Sequence, residues 1–528
     1  MTDFRILTRA LGASELARLA LSDDAPPGWY PKIPAGTEEW RARAESVLGD
    51  FAGHDWVSPL REAFAASGEA ARRLATVANG RGVVVTTGQQ PGLFGGPIYT
   101  FSKALTALAL ADSIEAATGI PTAPVFWAAT YDADFAEASV TYVASGERVE
   151  RLQMAAPPVP DLEMCDTPLG DVEAQWRSLQ RAAGAAADPE LMELVSSAYG
   201  RDATVGSAFV RLLRGVLEPL GIAVLDAGHR AVRAAERPLM LRALGRADSI
   251  DEALTARENE LRARGLEPQV AHVDGLSLVF EVERGARERI TIESALQAAG
   301  RDHAGTLEPN VVLRPVAERA ILPTVAYAAG PGELGYFAQV SAVAERLESA
   351  QPLAVPRWSG LIVEPHVRRI LERNSLVVDD LANADATLGR LAREALPERV
   401  RNALGAYRSA LESAADDLAA AVADGGSPIV PEAVLSGSRN GIGHRLDRLE
   451  RRIVAASKRR HEQLVRDIET ARASLFPLGR PQERMLNLMP LLARHGEPLL
   501  NAMLDAAREH SAAIVDGTLA GAARATAR

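Results

Sequence analysis

Residues 83–108 read VVVTTGQQPGLFGGPIYTFSKALTAL, and their pattern decides the fold. A β-branched run at Val83, Val84 and Val85 enters a loop holding Gly88, Gly92, Gly95 and Gly96. The chain leaves through Pro97 as an amphipathic segment that closes at Gly119. A buried strand, a glycine-rich turn, and a helix with proline at its start and glycine past its end make one strand–loop–helix unit. The next apolar run, PVFWAAT at 124–130, adds a second buried strand. The unit is then βαβ, which requires a parallel sheet and a right-handed crossover.

The same alternation continues outward. LRGVLEPLGIAVLDAG (213–228) reads as a helix followed by a strand ending at Asp226, and LSLVFEVERGARERITIES (276–294) as an antiparallel hairpin. Residues 310–347, from NVVL to AERL, predict strand, helix, strand, Gly-rich turn and helix, and LAVPRWSGLIVEP (353–365) is a further extended segment. The fold class is α/β: a Rossmann-like parallel-sheet core over 1–376, with connecting segments inserted near 145–205 and 255–300. Beyond residue 376 the strand signal stops. Val400, Leu404, Tyr407, Leu411, Ala414, Leu418 and Ala421 form a heptad seam. A loop at 424–441 follows, then a second long helix carrying Leu446, Leu449, Ile453 and Ala456 and, after a phase shift, Leu464, Ile468, Ala471 and Leu475. Residues 377–475 are therefore expected to be an antiparallel coiled coil that pairs two copies, and 476–528 a helical segment packing back on the core.

Bulk properties narrow the function. At 528 residues, 47% apolar and 24% charged, the chain can bury a sizeable core, and its net charge of −11 argues against a general nucleic-acid or anionic-membrane binder. The N-terminus lacks a basic start with an unbroken apolar run, and no stretch approaches the roughly 18 apolar residues of a membrane span. Cys165 is the only cysteine, which excludes an intramolecular disulfide and fits a cytoplasmic protein; its acidic neighbours oppose thiolate formation. Histidines are scattered without metal-ligand spacing and no G-x-S-x-G elbow occurs, so neither a metal site nor a serine hydrolase is expected.

Three loops can carry chemistry. In the first, glycines 88, 92, 95 and 96 let backbone N–H groups approach a ligand, and the helix start beyond Pro97 favours an anion. Thr87, Gln89 and Gln90 add neutral donors and acceptors. Lys103 follows about two turns into the helix. Only Lys32, Lys103 and Lys458 are lysines among 58 basic residues, so an ammonium kept at this place suggests a task that guanidinium cannot perform. In the second, WAATYDADFAEAS (127–139) places Asp132, Asp134 and Glu137 beyond a strand end, to hold an ammonium, orient a metal ion or act as a base, or simply to cap a helix. In the third, AYAAGPGELGYF (326–337) brings Gly330, Gly332, Glu333 and Tyr336 to another helix start, with Gln339 one turn on. Two such loops point to one shared crevice.

These blocks resemble the bacillithiol biosynthesis cysteine-adding enzymes. TGQQPGLFGGPIYTFSKA, which includes Phe94 and Tyr99, is similar to that family's TGQQ block. PVFWAATYDADFAE, PNVVLRPVAERAILPTVAYAAGPGELGYFAQ and PQERMLNLM match three further blocks in order and spacing, from about residue 80 to the end. The resemblance implies a ligase that adds L-cysteine to the amine of glucosaminyl malate. Amide formation needs an activated carboxyl, so ATP or another nucleotide is expected with no metal predicted, and the resemblance implies a homodimer formed through the coiled coil. It would give Lys103 and the loop amides to phosphate charge, Asp132 and Asp134 to a substrate amine, and Arg314 or Arg357 to the malate carboxylates. Where the family usually has Glu-Asp-His-Asp, this chain has Tyr131-Asp132-Ala133-Asp134. A non-catalytic paralogue that binds a nucleotide or sugar acid, and a nucleotidyltransferase-like enzyme, are the competing expectations. The ligase expectation carries two tests: Lys103→Ala abolishes turnover while melting stays near wild type, and deletion of 397–475 yields monomers.

Overall fold

Five parallel strands occupy the centre of the computed structural model: β1 (Val83–Gln89), β2 (Thr122–Ala128), β3 (Ala223–Asp226), β4 (Thr324–Ala329) and β5 (Ala354–Pro356). The structure describes residues 4–518 apart from 13, 23, 158, 284, 302, 304, 424–429 and 461, and apart from the side chains of 423 and 458–460. The Lys458 side chain and the first part of the loop read at 424–441 lie outside the described residues. The strands lie in the order β5-β4-β1-β2-β3, so the chain builds outward from β1 on one side and then crosses to the other. Nearly every strand residue is buried. Unbroken apolar runs, rather than alternation, are what a sheet covered on both faces demands.

Helix α1 (Ile98–Thr118) follows β1 and ends at Gly119, whose φ of 74° lies in the left-handed region. Fifteen of its 21 residues are buried, because it lies between the sheet and the C-terminal helix Glu497–Val515. Helix α2 (Pro331–Arg346) follows β4 in the same manner. The insertion near 145–205 consists of the hairpin Val140–Ser145/Arg148–Gln153 and the helices Glu173–Ala183 and Pro189–Ala198. The segment Leu276–Glu283/Ala286–Thr291 is an antiparallel hairpin joined by a third strand, Thr306–Pro309.

Three local expectations change. The run Val311-Val312-Leu313 is a turn and not a strand, because Asn310 Oδ1 accepts the Val312 and Leu313 N–H groups at 3.1 and 2.9 Å. The loop read as far as residue 441 is helical from Glu432 onward. The seam of helix Glu398–Ala423 is only partly turned inward. Val400, Leu404 and Leu411 are half-buried, whereas Tyr407 and Leu418 remain 52% and 56% exposed. An α-helix has 3.6 residues per turn, so a 3.5-residue seam drifts off a short contact line.

Helices Glu398–Ala423 and Glu432–Arg460 pair along their length, with Arg408 bridging Asp447 and Glu450 at 2.9 Å each. Helix Glu462–Leu475 instead buries Ile468, Ala471 and Leu475 against Val363, Val367 and Leu371. Among the described residues, no helix is long and apolar enough to cross a membrane.

Candidate active site at the switch point of the sheet

The carboxyl ends of β1 and β4 lie side by side where the strand order reverses, and open α/β sheets bind ligands at such points. A cleft of about 620 Å³ opens there. Its floor is Gly88, Gln89 and the Gly330–Glu333 turn, and one wall comes from Trp127 at the end of β2 and Tyr131 and Asp132 just beyond it. The opposite wall is Arg287 and Arg289 of the inserted hairpin, and Arg484 reaches in from the C-terminal segment.

Lys103 is 4% exposed. Its ammonium donates to Gly88 O at 2.7 Å and Gln89 Oε1 at 3.1 Å, and pairs with Glu333 Oε2 at 2.6 Å. Glu333 also accepts the Gly330 N–H at 2.7 Å and the Tyr327 hydroxyl at 2.5 Å. Burial pushes the lysine below its usual range, with Glu333 opposing. Burial raises the Glu333 carboxyl, but Lys103 and then Arg314 outweigh it, so the net shift is downward and the carboxylate stays ionised. A Cβ on Gly330 would sit 3.3 Å from Glu333 Oε2 and 3.8 Å from Lys103 Cε. The loop passes close over this pair.

Arginines support the shell. Arg314 donates to Glu318 at 3.0 Å, Tyr336 at 3.2 Å and Tyr327 at 3.3 Å, and Thr86 bonds the other oxygen of Glu318. Arg357 makes a bidentate pair with Glu483 at 2.8 and 2.7 Å and donates to Trp358 O at 2.7 Å. Arg314 and Arg357 line the cleft, but their charges are already matched. They hold the frame, and the expected pairing of either with malate has no free charge to use. Arg287 is shared with Glu308 at 3.3 Å. Arg289 donates to Ser277 O at 2.6 Å, and neither it nor Arg484 forms an ion pair among the described residues.

The expected site residues divide. Gly88, Gln89, Gln90, Tyr99, Lys103, Asp132, Arg314, Gly330, Gly332, Glu333, Tyr336 and Arg357 meet in the main cleft. Thr87 instead ties β1 to β4, its hydroxyl donating to Ala328 O at 2.8 Å. Gln339 clasps Val270 N–H and C=O at 3.3 and 2.8 Å and acts only by placing the loop wall at 269–271. Asp134 caps the short helix Phe135–Ala138 through Glu137 N–H at 2.9 Å and is exposed away from the cleft.

The glycine turn is no open amide cradle. Gly95 N–H donates to Gly92 O and to Tyr199 Oη, Gly96 N–H to Leu93 O, and Phe94 is fully buried against Tyr199 with rings 4.7 Å apart. Carbonyls of Leu93, Phe94 and Gly96 accept from Asn487 Nδ2 at 3.0–3.2 Å. Gly92 must be glycine because a Cβ would come within 2.8 Å of Gly96 Cα.

Elsewhere, Glu163, Cys165 and Asp166 bring possible ligand atoms within 4.8 Å of one another. Arg233 already lies there, donating to Glu163 at 2.5 Å and Cys165 at 3.6 Å. Burial, then Glu163, pushes the Cys165 thiol up, away from thiolate formation.

Two family models match the chain: "Bacillithiol biosynthesis BshC, N-terminal Rossmann-like domain" over residues 37–358 and "Bacillithiol biosynthesis BshC, C-terminal coiled-coil domain" over residues 360–514. The chain belongs to the BshC family. Relatives carrying the name "Putative cysteine ligase BshC" include one from Solibacter usitatus (strain Ellin6076), 32% identical over 441 residues, covering 78% of this chain and 80% of the relative. Another, from Koribacter versatilis (strain Ellin345), is 32% identical over 467 residues, covering 85% of this chain and 86% of its own length. A third, from Salinibacter ruber (strain DSM 13855 / M31), is 29% identical over 466 residues.

For a BshC chain, the residues that sequence reasoning missed are informative. Arg287 and Arg289 stand two apart on one strand and so share a face, a signal present in ARERIT but unattached to any loop motif. Arg484 and Asn487 lie in the PQER block, nearly 400 residues from the glycine turn they meet. Tyr131 lines the cleft, while no histidine does so among the described residues.

Proposed function

We propose that the protein is a ligase joining the carboxyl of L-cysteine to the amine of glucosaminyl malate, giving the amide that completes bacillithiol. One observation supports it above others: a cleft at the switch point in which Arg289 and Arg484 have no acidic partner beside the closed Lys103–Glu333 pair. An anionic substrate supplies the missing negative charge.

The roles follow from placement. Arg287 and Arg289 take the malate carboxylates from one strand face. An unactivated carboxylate does not acylate an amine in water, so ATP or another nucleotide is the co-substrate. The cysteine carboxylate displaces a leaving group at phosphorus. The sugar amine then attacks the carboxyl carbon, the carbon–oxygen bond to phosphate breaks, and the amine proton passes to Asp132 as general base. The N-terminus of α2 meets the phosphate charge, and Lys103, held by Glu333, Gly88 and Gln89, fixes that turn in place. The working form is a cytoplasmic homodimer, paired through the exposed strip that includes Tyr407, Leu418 and Leu449.

The lack of a cleft histidine favours one second reading, a paralogue that binds a sugar acid or nucleotide without turnover. Purified protein incubated with glucosaminyl malate, L-cysteine and ATP separates the two. A thiol product heavier than the sugar acid by one cysteine residue supports the ligase. Tight binding of the sugar acid with no product supports the paralogue.

A further inference from the structure

A smaller chamber of about 200 Å³ opens beside the main cleft, and the two share Gln89, Gln90, Tyr99 and Arg484. Its wall is the turn from Gly92 to Gly96 and the first turn of the 21-residue helix α1. Two charged side chains line it: Glu137 is its only carboxylate and Arg484 its only guanidinium. They are placed unequally. Arg484 borders both cavities and so stands at their junction, whereas Glu137 borders the small one alone.

Thr100 is the independent mark of a ligand. It is fully buried, it lines this chamber, and its hydroxyl has no partner among the described residues. A Cβ on Gly96 would come within 3.3 Å of that oxygen, so hydroxyl and turn face each other across the wall. A buried hydroxyl without a partner is costly, about 1–3 kcal/mol, and a bound polar group removes that cost. The remaining wall mixes apolar Pro91, Val140 and Met485 with Thr141 and Tyr142.

We infer that this chamber seats the amino-acid substrate, with its ammonium on Glu137, its carboxylate at Arg484 facing the main cleft, and its short side chain toward Thr100 and Met485. The inference rests on the ligase reading and adds to it which cavity receives which substrate. Size argues for it, since drug-sized ligands occupy roughly 300–1,000 Å³ and a nucleotide or glycosyl acid would not enter. Charge argues for it too, because one acid and one base in the same chamber match a zwitterion. Orientation agrees with the chemistry: the attacking amine arrives from the main cleft, so the carboxyl must stand at the junction. Glu137 is raised above the ordinary carboxylate range by partial withdrawal from water and then by Asp134, against Gln90, while its side chain stays open to solvent and to an arriving ammonium.

The test is calorimetric titration of the full-length protein with L-cysteine under reducing conditions and, separately, with glucosaminyl malate, in wild type, Glu137→Gln, Thr100→Val and Thr100→Ser. Loss of one charge-assisted hydrogen bond predicts that Glu137→Gln weakens cysteine by about tenfold or more while leaving the sugar acid within about twofold. Thr100→Val weakens cysteine in the same selective way, and Thr100→Ser restores it. Cysteine affinity unchanged in Glu137→Gln, equal weakening of both ligands, or no cysteine binding by the wild type overturns the assignment. If the wild type makes no thiol product yet shows the selective pattern, the ligase reading falls and the chamber stands. If it makes product and the pattern is absent, the chamber falls alone.

Discussion

Lys103 shows why one residue can be read correctly for its place and incorrectly for its cost. Its scarcity and position on α1 singled it out, but a sequence does not reveal that the ammonium is enclosed by Glu333, Gly88 and Gln89. The expectation that Lys103→Ala melts near wild type therefore changes. Removing one partner of a buried pair costs about 3–5 kcal/mol, reduced here by water entering from the cleft. Turnover should vanish and the urea midpoint should fall. The double variant Lys103→Met/Glu333→Gln should recover much of the stability and none of the activity. Equal midpoints for Lys103→Ala and wild type would show that the pair does not stabilise the fold.

A second residue gives a pH signature. Glu236 is buried, and its carboxyl is pushed up to about 8, chiefly by withdrawal from water, with Arg314 opposing and Glu318 adding to the rise. Unfolded, it ionises near its ordinary 4.5. Between those values the unfolded chain has released a proton that the folded chain keeps. Stability then falls as pH rises through the window, by up to about 1.4 kcal/mol per pH unit from this group. Glu236→Gln removes that slope, so its advantage over wild type in denaturant midpoint should widen from pH 5 to pH 8. Parallel curves would contradict the assignment.

At the scale of elements, what was legible followed local chemistry. The β1–α1 unit could be read because a β-branched run, a proline start and a glycine cap lie within 40 residues, and the structure keeps them at Val83–Gln89 and Ile98–Thr118. The turn at Val311 could not, because the Asn310 side chain overrides three β-branched or apolar neighbours. Nor could the fixing of the glycine turn by Asn487, a contact between segments nearly 400 residues apart. Asn487→Leu strands the Phe94 and Gly96 carbonyls and takes one of two donors from Leu93 O, and each unpaired buried group costs about 1–3 kcal/mol. It should lower the denaturant midpoint and raise amide exchange in the 92–97 turn. Unaltered exchange there would remove Asn487 from its role. The inserted hairpin has a different role: Arg289→Ala should raise the KM for glucosaminyl malate by about tenfold with kcat nearly kept, as loss of a ground-state charge contact does. A fall in kcat alone would place that arginine at the reacting atoms instead.

At the scale of the whole molecule, the long helices were visible in the heptads, but their facing was not. Leu418 and Leu449 stay 56% and 45% exposed in one copy, and this apolar strip is where a second copy would rest. Deleting 397–475 would also strip Ile468 and Leu475 from the core beside Val363, so point changes are the cleaner probe. Leu418→Glu with Leu449→Glu should halve the sedimentation mass and leave melting of the core nearly unchanged; an unaltered mass would refute pairing through this face.

The central claim is that the crevice between β1 and β4 receives the sugar acid. Hydrogen–deuterium exchange of the full-length protein with and without glucosaminyl malate tests it most directly. The account predicts slower exchange in the segments around Val270, Arg287–Arg289 and Gly330–Glu333, with residues 50–60, which wall a separate pocket outside this cleft, unchanged. Protection confined to that distant wall, or none at saturating sugar acid, would contradict it.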